Sequence, residues 1–245
     1  MAIDIHFAKW LIKHRNAISG KTLMLGRLQL CVFRQELKGL FPDHLLNEYA
    51  EPLLKCLSRQ DVVHSVDCSA YEGCTIVHDL GEPIEPTIKY NTIIDAGTIE
   101  HVFNLPQFFN NVQSWLEVGG HYIVTHPSNN APKHGLYQIS PDFWISVATP
   151  ENGFELVELD IHRKGLNTTT RPFRNQNMRF FGLPFYTDLY AILRVTKRVK
   201  KFNVRQPMFI LPQKGKGSFA KLKKKLVCLP RIYRIAERVY NATKT

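Results

Sequence analysis

Apolar residues recur along the chain in short blocks of two kinds, and the two kinds alternate. Ile3, Phe7, Trp10, Leu11, His14 and Ile18 fall at helical intervals, predicting an amphipathic helix over 3–18 that Gly20 stops. The short apolar run Thr22–Gly26 (TLMLG) has the look of a strand buried on both faces of a parallel sheet. Residues 44–57 predict a helix bent or broken near Pro52. Residues 62–66 and 75–78 predict two more strands, each ending on or just before an acid, Asp67 and Asp79, and residues 91–95 predict a fourth that ends in Asp95. The clearest helix follows: Asn104 is its N-cap, and Leu105, Phe108, Phe109, Val112, Trp115 and Leu116 form its stripe. Gly119-Gly120 ends that helix and residues 121–125 begin a fifth strand. Ser140-Pro141-Asp142 opens a helix over 141–149, and residues 154–161 and 188–199 alternate as the last two strands.

Strands and helices alternating at this spacing predict an α/β fold, a doubly wound and mostly parallel sheet. Ligands of such sheets sit beyond the carboxyl ends of the strands, where the strand order reverses. The residues just after Gly26, Asp67, Asp79, Asp95 and Thr125 are therefore expected to ring one pocket. A strand-end carboxylate can accept two hydrogen bonds from the vicinal diol of a ribose, which suits Asp67, although it lies far beyond Gly26 for that role. Asp79 is placed to receive the amino group of an adenine. A strand-end acid can equally cap the turn that follows it.

The net charge of +11 hides an uneven distribution. Residues 196–245 hold 15 Lys/Arg against the single acid Glu237, while the other 195 residues hold 17 basic and 20 acidic side chains. The chain thus reads as a mildly acidic globule, 1–199, with a basic amphipathic extension, 200–245, which weakens the reading of the whole as a nucleic-acid-binding domain. Hydrophobic residues at 44% and aromatics at 11% are ample for a packed core. The five cysteines are odd in number and form no C-x-x-C pair, and no histidine stands near them at zinc spacing. No disulfide framework and no metal site are predicted, and the cytoplasm is the expected compartment. No apolar run is long enough to span a bilayer, and Asp4, His6 and Lys9 interrupt any signal-like core at the start.

The succession LMLGR, VDCSAYEGCTIVHDLGEPI, YNTIIDAGTIEHVFNLPQFFNNVQSWLEVGGHYIV and HPSNNAPKHGLYQISPDFW resembles the class I S-adenosylmethionine-dependent methyltransferases over about residues 20–199. It is most similar to a bacterial-type branch associated with small-molecule or glycan modification. The resemblance implies a Rossmann-like methyltransferase sheet with an antiparallel last strand, and S-adenosyl-L-methionine as cofactor. It implies cofactor contacts from Gly26, Asp67, Asp79, Asp95, Gly97 and Glu100. One motif departs from the pattern. The family's first loop is acid-x-Gly-x-Gly-x-Gly, whereas Leu25-Gly26-Arg27-Leu28 has one glycine and no acid. Either Gly26 suffices together with Arg27, which would pair with the cofactor carboxylate, or the chain is a non-catalytic binding module. The later motifs, intact, favour retention.

Methyl transfer to a hydroxyl needs alignment and a group that takes a proton near neutral pH, for which histidine is suited. His101, His126 and His134 each follow a predicted strand, and the family pattern puts Glu100-His101 beside the transfer site, making His101 the leading base or positioning residue. His126, Asn129, Asn130, His134, Tyr137 and Gln138 form a polar loop suited to a polyhydroxylated substrate, with Tyr137 a further catalytic candidate. The long connection 163–187 carries Arg171 and Arg174 among aromatics, a combination able to hold a phosphate and a flat or sugar ring. Charge and amphipathicity make the 200–245 extension a binder of an anionic membrane surface or a protein partner, with nucleic acid less favoured because few aromatics stand among its basic residues. The leading reading is a cytoplasmic methyltransferase of a small hydroxylated or sugar-like metabolite, peripheral at a membrane if the tail binds one. The alternatives are the inactive module and a nucleic-acid methyltransferase using the tail.

Overall fold

The computed structural model describes residues 1–32, 48–164, 168–173 and 186–205. Ten strands and four helices of four or more residues or paired backbone are described. The chain opens with β1 (Ala2–Asp4), α1 (Ile5–Lys13), β2 (Thr22–Leu25), β3 (Gln29–Cys31) and α2 (Glu51–Ser58). There follow β4 (Val63–Asp67), β5 (Ile76–Val77), β6 (Tyr90–Ala96), α3 (Leu105–Trp115) and β7 (Leu116–Asn129). Last come α4 (Pro141–Val147), β8 (Phe154–Arg163), β9 (Thr169–Pro172) and β10 (Thr187–Val195).

Eight strands form one sheet in the order β5-β4-β2-β6-β7-β10-β8-β9, with β1 and β3 paired separately. From β5 to β7 the neighbours are parallel. β10 is antiparallel to both β7 and β8, so the last sheet strand to be laid down inserts between two that run the other way. This is the expected doubly wound sheet with its antiparallel last strand. The chain winds outward from β2 through β4 to β5, then returns to β6 on the other side of β2, so the order reverses between β2 and β6. A crevice beyond the carboxyl ends of those two strands follows from that reversal.

Side-chain alternation along the strands builds two cores, one on each face. Ile93, Tyr122 and Ala191 join Phe108, Phe109, Trp115 and Trp144 of α3 and α4. Their next neighbours Ile94, Ile123 and Ile192 face Phe7, Trp10, Leu11 and Leu54 of α1 and α2. On this second face the Trp10 indole N–H donates to Asp160 Oδ2 at 2.7 Å, tying α1 to β8 across the core.

Several local expectations change. The first helix begins at Ile5 and ends at Lys13, because Asp4 caps it through the Phe7 amide (2.9 Å) and the residues before it pair with β3. Pro52 opens α2 rather than bending it, since a proline in the first turn lacks only an N–H that would have no helical partner. Residues 44–47 of that predicted helix lie outside the described residues. Asn104 does cap α3, accepting from the Gln107 amide at 3.3 Å, but the helix stops at Trp115 and β7 starts at once, before Gly119-Gly120. The 200–245 extension lies outside the described residues beyond Arg205. Among the described residues no helix is long and apolar enough to cross a membrane.

Candidate active site

Two adjoining pockets open at the carboxyl ends of the parallel strands. The larger, of about 770 Å³, lies at the order reversal and is lined by Gly26 after β2, Asp67 at the end of β4, Asp79 after β5, and Thr98 and His101 after β6. Its volume is in the range of sites that take a cofactor-sized molecule. The smaller, of about 190 Å³, lies over β6, β7 and β10 and is lined by Gly97, Glu100, His101, Thr125, His126, His134, Lys164 and Asp188 among others. His101 and Met1 border both. The single ring of strand ends expected from the sequence is thus two chambers joined at His101.

At the end of β2 the backbone turns left-handed at Gly26 (φ 77°), a conformation that costs any residue with a Cβ. A Cβ there would also lie 2.4 Å from the Met1 methyl group. The Gly26 amide donates to the Val66 carbonyl at 2.7 Å, which holds the loop against β4. Asp67 accepts from the Ser69 amide (3.2 Å) and Asp79 from the Gly81 amide (2.8 Å), each through Oδ1, so backbone turns fix both carboxylates at the pocket wall.

Four sequence-predicted cofactor residues are placed outside the larger pocket: Gly97 and Glu100 line only the smaller one, and Asp95 and Arg27 line neither. Asp95 turns inward: it is fully buried, Oδ1 accepts from the Thr98 amide and Oδ2 from the Tyr122 hydroxyl, each at 2.7 Å. Burial pushes its pKa up to about 6 against those hydrogen bonds. It builds the turn after β6 and lines neither pocket. Arg27 lies 2.9 Å from Glu51 Oε1, donates to the Glu72 carbonyl, and covers the Tyr49 ring at 4.0 Å. Its guanidinium is committed to that cluster and lines neither pocket, so the expected pairing with a cofactor carboxylate has no support in its placement.

The turn after β6 continues as a short 3-10 segment, Ile99–His101. Glu100 is fully buried with neither carboxylate oxygen hydrogen-bonded, and burial, then the charge of Asp95, pushes its pKa up to about 8. Its backbone carbonyl accepts from the amides of Leu136 (2.7 Å) and Tyr137 (3.2 Å). That staple brings His134 Nε2 to 3.4 Å from Glu100 Oε1 and the His134 ring to 5.5 Å from that of His101. Partial burial, then the neighbouring His134, holds the His101 imidazole below its ordinary pKa.

The rest of the polar loop is structural in its placement. His126 is buried, with Nε2 accepting from the Trp144 indole (2.8 Å) and Nδ1 bonded to the Pro127 carbonyl (2.9 Å); burial takes its pKa down to about 4. Both ring nitrogens are engaged, so it forms a fixed wall of the smaller pocket. Tyr137 donates to the Phe103 carbonyl (3.1 Å), and Gln138 Oε1 accepts from the Ala131 amide (3.0 Å), closing the loop on itself. Tyr137, Gln138, Asn129 and Asn130 line neither pocket. Arg171 sits on the outermost strand β9, exposed and opposite Ile161, also outside both pockets; Arg174 lies outside the described residues. The sequence reading missed the ion-paired corner of the smaller pocket, where Lys164 Nζ lies 2.8 Å from Asp188 Oδ2 and 3.2 Å from Asp4 Oδ2. Asp4, Lys164 and Asp188 come from three distant elements, and only their charge against apolar strand ends could have marked them.

No family model matches the chain, and no curated protein matches it. Solved structures are similar at the level of the backbone. StiE O-MT has a TM-score of 0.47 at 11% identity, over 79% of this chain and 75% of that one. A 1,6-didemethyltoxoflavin-N1-methyltransferase from Burkholderia thailandensis, solved with 1,6-didemethyltoxoflavin and S-adenosylhomocysteine, has 0.44 at 13%, over 79% and 78%. An S-adenosylmethionine-dependent methyltransferase from Mesorhizobium loti has 0.44 at 12%, over 76% and 97%. At these values the strand order decides the fold: three outward parallel strands, a reversal at β2, and an antiparallel strand inserted between β7 and β8. The chain has a Rossmann-like, doubly wound fold, the mostly parallel sheet with an antiparallel last strand that the sequence predicts.

Proposed function

We propose that this chain is an S-adenosylmethionine-dependent methyltransferase acting on a hydroxyl of a small, polyhydroxylated or sugar-like metabolite. The observation that carries the reading is the convergence of Gly26, Asp67 and Asp79 on one pocket that shares His101 with a second, smaller one. The residues fit the cofactor. Asp67 would hold the ribose hydroxyls, Asp79 the adenine amine, and the bare backbone at Gly26 would admit the methionine part close to the sheet. The cofactor supplies an electrophilic methyl group on a sulfonium.

The smaller pocket would then present the acceptor. His101, which borders both pockets, would stand beside both ligands, and with its pKa lowered by burial and His134 it would be neutral and able to take the acceptor's proton at pH 7. His126 would wall the chamber, its ring nitrogens already engaged, and the Lys164–Asp188 pair would give a polyhydroxylated substrate hydrogen-bonding partners on the far side. Glu100 and Gly97 shape its floor. We assign the basic 200–245 extension a separate role in attachment to an anionic membrane surface, on charge alone, and the cytoplasmic face is the compartment that suits four free cysteines among the described residues.

The test is methyl transfer from S-adenosylmethionine labelled in its methyl group to a panel of sugars, sugar nucleotides and other hydroxylated metabolites. The reading expects label in an ether linkage, with one S-adenosylhomocysteine released per methyl transferred. Cofactor turnover seen only with RNA or DNA would contradict it.

A further inference from the structure

Glu100 sits at the floor of the smaller pocket with no exposed surface and no hydrogen bond to either carboxylate oxygen. A carboxyl group removed from water with no hydrogen bond to either oxygen, and only the His134 imidazole at 3.4 Å beside it, is a costly arrangement, and it implies a ligand that other side chains do not supply. Two imidazoles stand close to that carboxylate. One donor atom from each of Glu100, His101 and His134 lies within 4.8 Å of the others. Donors that share one ion at about 2.0–2.2 Å stand some 3–4 Å apart, and both histidines are exposed enough to close the remaining distance by turning their rings.

The fold holds this set together deliberately. His101 follows Glu100 on the same short 3-10 segment, whereas His134 comes from a loop 33 residues further on. That loop is pinned by the Leu136 and Tyr137 amides on the Glu100 carbonyl, and internally by Gln138 on the Ala131 amide. It passes so close that Gly135, left-handed at φ 72°, would put a Cβ 2.8 Å from the Glu100 Cγ. We propose that Glu100, His101 and His134 bind a divalent transition-metal ion of the Zn²⁺ or Co²⁺ class, with its open positions facing the smaller pocket. Two imidazoles and one carboxylate suit such an ion better than Mg²⁺ or Ca²⁺, which prefer all-oxygen sets.

Metal binding stands apart from methyl transfer. Its consequence for the reaction rests on the function proposed above: an acceptor hydroxyl occupying an open position would release its proton to water more readily, and His101 would act through the ion instead of as a free base.

The experiment is a titration of the chelator-treated full chain with Co²⁺, followed by visible absorption, with Zn²⁺ affinity measured by competition. One equivalent is expected to bind with a spectrum of nitrogen and oxygen ligation, and Glu100→Gln and His134→Ala should each weaken it at least about tenfold. Thiolate-to-cobalt bands, or equal affinity in the wild type and both well-folded variants, would overturn the site. S-adenosylmethionine binding by His134→Ala, measured in parallel, separates the two ideas. Cofactor bound without cobalt dependence on Glu100 and His134 sinks the metal site alone, whereas cobalt bound as expected with no cofactor affinity sinks the methyltransferase reading alone.

Discussion

The Trp144 indole N–H donates to Nε2 of His126 at 2.8 Å, which leaves the imidazole only Nδ1 to donate to the Pro127 carbonyl at 2.9 Å. An indole can only donate, so the accepting nitrogen must carry no proton. α4 therefore fixes both the tautomer and the neutral charge of a histidine at the end of β7, and with them the shape of the smaller pocket.

Stability should consequently depend on pH through His126. Its folded pKa, about 4, lies below the unfolded value near 6.5, so the unfolded chain binds the extra proton between those values. The contribution is fully present above about pH 6.5 and is lost as the pH falls towards 4. Urea denaturation should show the wild type losing roughly 2 kcal/mol more than His126→Gln between pH 7 and pH 5. His162, also lowered to about 4 by burial and then by His6, acts in the same direction in both proteins and cancels in the comparison. Parallel slopes for the two proteins would refute the locked tautomer.

Gly135→Ala should be damaging out of proportion to its single methyl group. The position is left-handed, and the added carbon would meet the Glu100 Cγ at 2.8 Å and the Glu100 carbonyl oxygen at 3.0 Å. Backbone strain of this kind costs about 1–3 kcal/mol. Thermal unfolding should report a loss in that range, together with weakened cobalt binding as His134 moves away. A variant as stable as the wild type would show that the loop is not held by the Glu100 carbonyl.

On the other face, Trp10→Phe removes the donor to Asp160 Oδ2, and Oδ1 of that carboxylate already has no hydrogen bond. Leaving a buried acceptor wholly unpaired costs about 1–3 kcal/mol or more when it is charged. Denaturant unfolding should show that loss for Trp10→Phe, and Trp10→Phe with Asp160→Leu should recover most of it. Additive losses in the double variant would mean that the pair is not coupled.

The strand ends were readable because a parallel sheet delivers all its carboxyl termini to one edge, so Asp67 and Asp79 needed only their place in the pattern. Asp95 occupies the same kind of place and faces inward, because Tyr122 on β7 and the Thr98 amide claim both its oxygens. Nothing local distinguishes the two outcomes. Arg27 was misplaced for a similar reason: Glu51 and the Glu72 carbonyl, each more than twenty residues away, take its hydrogen bonds. The Glu100, His101 and His134 set escaped a search for metal-ligand spacing because its third member arrives through a backbone staple. The Lys164 bridge between Asp4 and Asp188 is likewise tertiary, joining the first strand to the last.

The central claim is that Gly26, Asp67 and Asp79 line a cofactor site despite a single-glycine loop. Calorimetric titration of the full chain with S-adenosylmethionine tests it most directly. One equivalent should bind to the wild type, and Asp67→Ala should bind at least about tenfold more weakly, since a lost charged hydrogen bond is worth about 1.5–3 kcal/mol. No binding to the wild type at millimolar ligand, or binding that Asp67→Ala leaves unchanged, would contradict the account.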